Sequence, residues 1–537
     1  MNVAAPAQAA NQNQSSASET RQSLAQASSE LVIGLVGFAG SGCTSVGKAL
    51  HVALEQAGYE PQIIKMSSII ADTLAETSPP AINNEDPMEK GRSTLERAIA
   101  LQNAGDELRD GKNYKIASLA IDKIIEKRGT REVGREKIAY IIDSFKHTSE
   151  VELFRDVYGS SFRLIAVHCD KKTRKERLFG DVSSQAKFAG ADEERVDYFI
   201  LRDEMDNSNK NGQQVRKVFH QADFFLDDNK NNVGSIQSNS DLKRFLNLIL
   251  GNEFHRPFPS ETAIYMAYSA ALRSSCLSRQ VGAAILSTDG ELISIGSNDV
   301  PKYGGGTNLE DLNKNARCAY WEFDLQDGGK FLGCHNTRLK ADLKEEIAES
   351  IKSQILNILN QNSSPRLGED DVIQKVEQID FKALSVPKVN DLIEYSRSIH
   401  AEMDALFSAA RQGKNIVGST LYCTTFPCHN CARHLVTAGI REVYYVEPYV
   451  KSLAIELHSD SIQLDEVVDP EKQTRMAVRP FTGVGPRMYE DHFIKRGELK
   501  NEDTGSFDYK TMGSPISGAR LDALENIEKA AAGLVKE

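Results

Sequence analysis

Two short stretches hold the side chains best suited to chemistry. His400-Ala401-Glu402 stands one spacer ahead of Pro427-Cys428-His429-Asn430-Cys431. One imidazole and two thiols make three ligands for a tetrahedral Zn²⁺, and three ligands leave one position for water. Water on such an ion becomes a nucleophile near neutral pH. Glu402 is two residues from His400, is not needed as a ligand, and is the natural proton carrier. Pro427 suits the first position of a helix, whose N–H dipoles would point at Cys428. Cys428 and Cys431 lie three apart and share a helix face. A CxxC alone reads equally as a redox pair or half of a structural zinc site. The ordered set, with Pro427 directly before Cys428, favours an open catalytic metal site.

A second stretch could hold phosphate. The buried-strand pattern Leu31–Val36 runs into Gly37-Phe38-Ala39-Gly40-Ser41-Gly42-Cys43-Thr44, and a helical segment follows from about Ser45. Strand, Gly-rich turn and helix are the context of a P-loop, with backbone N–H groups and a helix N-terminus aimed at phosphate. Gly37, Gly42 and Thr44 meet G-x-x-x-x-G-K-[ST], with Gly40 and Ser41 inside the loop. Cys43 stands where the pattern has Lys, which puts phosphoryl transfer in doubt, and Lys48 is no obvious substitute. Lys137–Asp143 is a second buried strand, ending where a Walker-B Asp would sit. Arg163–Asp170 is a third, followed by the basic run Lys171–Arg177, read either as lid arginines or as a solvated helix face. Arg97, Leu101, Gln102, Gly105, Asp106 and Arg109 resemble a helix of the P-loop deoxynucleoside-monophosphate kinases. Ala222–Asp227 reads as a last strand. Strands alternating with helices predict a parallel α/β sheet over 30–250.

Composition bounds the rest. The chain has 537 residues, 40% apolar and 26% charged, globular values and room for roughly three or four domains. A net charge of −12 and a single Trp weigh against a nucleic-acid coat protein and against stacking on single strands. Eight cysteines, scattered outside the CxxC, suggest a reducing compartment. No apolar run approaches the ~18 residues that span a bilayer, and no basic segment precedes an apolar core near the start. A cytoplasmic protein with no membrane partner is expected.

The elements that must position the CxxC follow a linker at Phe254–Glu261. Thr262–Leu277 has helical spacing. Val281–Leu286 and Leu292–Gly296 read as a hairpin turning at Thr288-Asp289-Gly290, with Asn298 at its end. An insertion occupies 301–395, where Ile347, Ile351, Ile355 and Leu359 recur at helical spacing. Cys276, Cys318, Cys334 and His335 could hold a second, structural zinc, though free thiols fit their spacing as well. Val443–Val446 is a strand before Glu447-Pro448-Tyr449-Val450-Lys451-Ser452. Pro480–Tyr489 reads as a loop, with Arg479 and Arg487 as phosphate candidates. Leu521, Leu524, Ile527, Ala531 and Leu534 predict a terminal docking or oligomer helix. The organisation expected is a disordered tail over 1–29, a P-loop nucleotide-kinase-like domain over 30–250, a zinc domain over 258–490, and a C-terminal tail with a short helix over 491–537.

In order, Ser275-Cys276…Arg279-Gln280-Val281-Gly282-Ala283, Gly296-Ser297-Asn298, His-Ala-Glu, Pro-Cys-x-x-Cys and Glu-Pro-Tyr…Lys-Ser resemble the deoxycytidylate deaminase family over about 258–490. With a P-loop domain in front, the chain is similar to the bacterial antiphage dCTP/dCMP deaminases. The resemblance implies an α/β fold: an N-terminal P-loop parallel-sheet domain and a C-terminal α/β/α cytidine-deaminase-like domain. It implies Zn²⁺ on His400, Cys428 and Cys431, proton transfer by Glu402, sugar contact by Asn298, and phosphate contacts from Arg279 and Lys451. Deoxycytidine nucleotides are the implied substrates. A nucleotide effector on Gly37, Gly40, Ser41, Gly42, Cys43 and Thr44, an inhibitory small RNA and a homo-oligomer are implied partners. The insertion and Cys43 depart from the pattern, so effector contacts and kinase activity are not carried over. Two other readings remain open: a polynucleotide deaminase, and a zinc-stabilised nucleotide-binding regulator.

Overall fold

The computed structural model describes residues 29–77, 87–133, 135–180, 185–206, 208–228, 240–251, 255–308, 322–324, 328–361, 395–448, 452–464, 472–494, 500–501, 503–506 and 521–534. The chain divides into two compact units, Met1–Glu261 with Pro480–Glu537, and Thr262–Arg479. The tail expected over 1–29 lies outside the described residues apart from Ser29.

The first unit is built on β1 (Leu31–Val36), β2 (Glu60–Lys65), β3 (Ile138–Asp143), β4 (Phe162–His168) and β5 (Phe224–Asp227), in the order β2-β3-β1-β4-β5. Every pair among them is parallel. β1, β3 and β4 are buried along their whole length, as their near-continuous Val, Ile and Leu runs require for strands covered on both faces. The chain passes from β1 out to β2, back to β3, then across to β4. This order reverses beside the carboxyl end of β1, the place where open α/β sheets take ligands. The Gly-rich turn lies there, followed by the helix Cys43–Gln56.

The second unit holds β6 (Gly282–Leu286), β7 (Leu292–Ser297), the two-stranded β8 (Glu322–Asp324) and β9 (Lys330–Leu332), β10 (Thr420–Thr425), β11 (Glu442–Glu447), β12 (Ile462–Gln463) and β13 (Met476–Pro480). The main sheet runs β12-β13-β11-β10-β6-β7. β6 pairs antiparallel with β7 and β10, while β10 pairs parallel with β11. The β6–β7 turn closes with Ser287 N–H on Glu291 O at 2.8 Å, as the Thr288-Asp289-Gly290 signal predicts. Both units are thus mixed α/β with sheets rich in parallel pairing. The insertion contributes the helix His335–Gln361, which carries Ile347, Ile351 and Ile355. Residues 309–321, 325–327 and 362–394 of the insertion lie outside the described set.

Two expectations are corrected. The loop read over Pro480–Tyr489 contains β14 (Gly483–Val484), paired antiparallel with β5, and the first half of a helix, Pro486–Phe493. Phe481, Val484 and Met488 are buried. Val484 and Met488 join the core of the first unit, and Phe481 packs edge-on against Phe225 at 5.8 Å. Pro480–Glu537 therefore groups with the first unit, so the second ends at Arg479 where the sequence reading sets the boundary at 490. The terminal helix Leu521–Gly533 docks within the chain. Arg128 donates to Glu30 (2.7 Å) and to Glu528 (2.6 Å), all three side chains being buried.

Candidate functional site

His400 immediately precedes the helix Ala401–Arg411 in extended backbone, and Cys428 does the same for the helix His429–Thr437. Two helix starts thus present their leading side chains to one point. Cys428 Sγ accepts the Cys431 N–H at 3.4 Å, one of the first-turn N–H groups a helix leaves unsatisfied. His400 Nδ1 lies 3.3 Å from Cys428 Sγ and 3.3 Å from Cys431 Sγ. Tetrahedral zinc, with bonds of about 2.0–2.3 Å, sets its ligand atoms roughly 3.5–3.8 Å apart. The three atoms fit that ion after an opening of a few tenths of an ångström. Among the described residues they are the group of three or more metal-capable side chains within mutual reach. Cys276, Cys334 and His335 do not gather into a second group, and Cys318 lies outside the described residues.

The Cys431 contact and His400 pull the Cys428 thiol down to about 4. Its thiolate is thus available for a metal at neutral pH. Glu402, 4% exposed, sits on the first turn after His400. Burial, with Cys428 adding, pushes its carboxyl up, the direction a proton carrier needs near neutral pH. The helix bearing Glu402 lies tight on β7 because position 296 is Gly. A Cβ there would collide with the backbone of Ala401 and Ala405.

A cavity of about 240 Å³ opens on this group, lined by Asn298, Arg279, His400, Glu402, Phe426 and Cys428 among others. Asn298 accepts from Val281 N–H (2.7 Å) and donates to Arg279 O (2.8 Å). That leaves one amide hydrogen and one lone pair for a ligand. Arg279 reaches the cavity and forms an ion pair with Glu447. Lys451 lies outside the described residues. Ser452 donates to Pro427 O at 2.8 Å, directly before Cys428. Arg479 and Arg487 do not line this cavity.

Residues 259–447 match the family model of the cytidine and deoxycytidylate deaminase zinc-binding region. The chain is a deaminase. The deoxycytidylate deaminase of Enterobacteria phage T2 is 28% identical over 193 residues, 36% of this chain and 82% of that protein. Its phage T4 counterpart is also 28% identical over 193 residues, covering 36% and 80%. ComE operon protein 2 of Bacillus subtilis (strain 168) is 34% identical over 80 residues, 14% of this chain and 42% of that protein. The metal of the matched region is zinc.

Sequence reasoning misses several residues of the deaminase cavity. His335 and Asn336 reach it from the start of the insertion's helix, and Ser396 and Arg397 from the turn before His400. Arg397 stands three residues before His400, a spacing that could have flagged it. Asp299 accepts from Ser275 N–H (2.9 Å) and hydroxyl (3.0 Å), next to Cys276, which lines the cavity.

In the first unit the Gly-rich turn follows β1 and leads into the helix Cys43–Gln56. Gly40 and Gly42 have φ of 84° and 97°, a region costly for any residue with a Cβ. Thr44 donates to Asp143 at 2.8 Å, which ties the end of the turn to the last residue of β3. Burial and Asp143 push the Cys43 thiol up to about 12, so it stays neutral. The run Lys171–Arg177 is more than a solvated face. Arg174 is buried against Glu204 at 2.8 Å, and Arg177 donates to Gly40 O at 3.2 Å.

Proposed function

We propose that the enzyme hydrolytically deaminates cytosine deoxynucleotides, converting dCTP or dCMP to dUTP or dUMP. The observation that carries this is the buried Glu402 beside the group His400, Cys428 and Cys431, on which a cavity opens. The set H-x-E…P-C-x-x-C is the signature of zinc nucleobase deaminases, in which the Glu is acid and base and not a ligand. His400, Cys428 and Cys431 would hold the ion, which when bound supplies Lewis-acid activation of a water. Glu402 takes a proton from the water that attacks C4 of cytosine, then delivers protons to N3 and to the departing amine. Ammonia leaves and uracil results. Asn298 offers its remaining amide hydrogen and lone pair to the sugar, and Arg279 and Lys451 are positioned in sequence to meet phosphate. The deoxycytidylate deaminases named above support the substrate class.

The Gly-rich loop supports a nucleotide effector acting on the deaminase through a P-loop domain of 30–250. In that role the cytoplasmic enzyme drains the dCTP pool during phage infection, as a homo-oligomer held off by an effector or by a small RNA. The test offers dCTP, dCMP, CTP, cytidine and a cytosine oligonucleotide together and reads products by mass spectrometry. Deoxyuridine nucleotides are expected. Deamination confined to the oligonucleotide overturns the reading. For the defence role, phage plating on cells carrying wild-type or Glu402→Ala protein should differ, with dCTP falling only in the former. Equal plating removes that role.

A further inference from the structure

The cavity at the carboxyl end of β1 measures about 470 Å³ and is lined by the whole Gly-rich loop, within the range of ligand sites. Its weakness as a phosphate site is Cys43, neutral where a cation is needed. The fold brings a cation from elsewhere. Lys146, three residues past β3, donates through Nζ to Gly37 O at 3.2 Å and is braced by Asp203 at 2.7 Å. Asp203 also accepts the loop's own Ala39 N–H at 2.7 Å, so the ammonium and the loop are held as one piece. Lys65, Arg177 and Lys187 line the same space. The acids there are largely occupied: Glu150 pairs with Arg109 at 2.8 Å, and Asp143 holds Thr44. The helix Cys43–Gln56 has no acidic residue in its first turn, so its N–H dipoles face the cavity unopposed.

A second observation, independent of the loop, also points to a ligand. Gln102 and Gln213 line this cavity and are 4% and 7% exposed. The side-chain oxygen of each is buried with no hydrogen-bond partner. Gln102 already spends its amide on Phe199 O at 3.4 Å, which fixes its oxygen as the free acceptor. A buried acceptor without a donor costs about 1–3 kcal/mol. Two in one cavity mark where N–H or O–H donors of a ligand belong. Apolar Ile70, Leu101 and Phe199 beside them suit the flat face of a base.

We propose that this cavity binds a magnesium-complexed nucleoside di- or triphosphate, with Lys146 supplying the phosphate-facing cation that Cys43 does not, and with Gln102 and Gln213 accepting from the nucleoside. The proposal rests on reading Gly37–Thr44 as a nucleotide-binding loop. Thr44 and Asp143 are placed to hold the magnesium.

The test is calorimetric titration of the full zinc-loaded chain with Mg²⁺ and each common ribo- and deoxyribonucleoside triphosphate, alongside inorganic tripolyphosphate. At least one nucleotide should bind in a way that Gly42→Asp abolishes. Lys146→Ala should weaken that binding tenfold or more and weaken tripolyphosphate with it. Lys146→Arg should retain it, and Lys48→Ala, on an exposed side chain, should leave it unchanged. Gln102→Leu and Gln213→Leu should weaken the nucleotide and spare tripolyphosphate. Thermal unfolding of each variant separates lost binding from lost fold, and the Lys146→Arg result stands if Lys146→Ala does not fold. Binding lost with Gly42→Asp but kept by Lys146→Ala overturns the Lys146 assignment and leaves the loop reading intact. Equal losses of nucleotide and tripolyphosphate in the glutamine variants overturn the nucleoside end. No Gly42-dependent binding by any nucleotide overturns the loop reading itself.

Discussion

The zinc cavity and the Gly-rich-loop cavity were built by opposite routes. In the first, the three metal-capable side chains and Glu402 come from two helix starts, and the spacings that place them are local: two residues from His400 to Glu402, three from Cys428 to Cys431. In the second, the loop supplies backbone N–H groups and the Thr44 hydroxyl but no cation. Its cation, brace and free acceptors come from Lys146, Asp203, Gln102 and Gln213, on four other segments. Bond-making chemistry demands fixed short geometry and so leaves a motif. Ligand binding can replace a missing lysine from any element that ends at the same sheet edge.

The largest effect expected is at the zinc cavity. Glu402→Ala should lower deamination about 10²–10⁴-fold while zinc content by elemental analysis stays unchanged. Loss of zinc together with activity would make Glu402 a metal-site residue and break the division of labour in that cavity. Cys428→Ser should lose zinc outright; unchanged metal stoichiometry rejects Cys428 as a ligand. The first unit offers a test of a purely structural kind. Glu528→Ala leaves Arg128 buried with Glu30 alone, and a hydrogen bond lost from a charged group costs about 1.5–3 kcal/mol. A lowered unfolding midpoint with deaminase chemistry intact is expected, and an unchanged midpoint refutes docking of the terminal helix.

Sequence legibility followed the same division. His400, Glu402, Cys428 and Cys431 were readable because their spacing is the chemistry. The parallel sheet was readable because buried strands such as Ile138–Asp143 are unbroken apolar runs. Phe481, Val484 and Met488 escaped notice because Pro480, Gly483 and Gly485 among them signal a loop. Only the tertiary fold shows that β5 needs an edge partner. Lys146 and Gln213 carry no local pattern at all, since their meaning is set by residues a hundred positions away. Asn298 was legible as a residue of the site, but its bonds to Arg279 and Val281 also give it a role in shaping the wall.

Two smaller effects sharpen the contrast. Gly296→Ala should destabilise the second unit by about 1–3 kcal/mol, the usual cost of overpacking, since the new methyl meets helix backbone. An unchanged melting curve would mean that Glu402's helix is not pinned as described. Cys43, with its pKa pushed up to about 12, is neutral at all lower pH. Its alkylation by iodoacetamide, followed by peptide mass spectrometry, should stay slow from pH 7 to 9. A steep rise over that window would show a thiolate and reverse the picture of a neutral loop served by a distant cation.

We propose that Glu402 moves protons for deamination of a cytosine deoxynucleotide in the zinc cavity. The most direct measurement is mass spectrometry of nucleotides after purified wild-type and Glu402→Ala proteins, matched for zinc, meet dCTP and dCMP. The account predicts dUTP or dUMP with stoichiometric ammonia from the wild type and a loss of at least about a hundredfold in the variant. Equal deoxyuridine nucleotide formation by both proteins would contradict it.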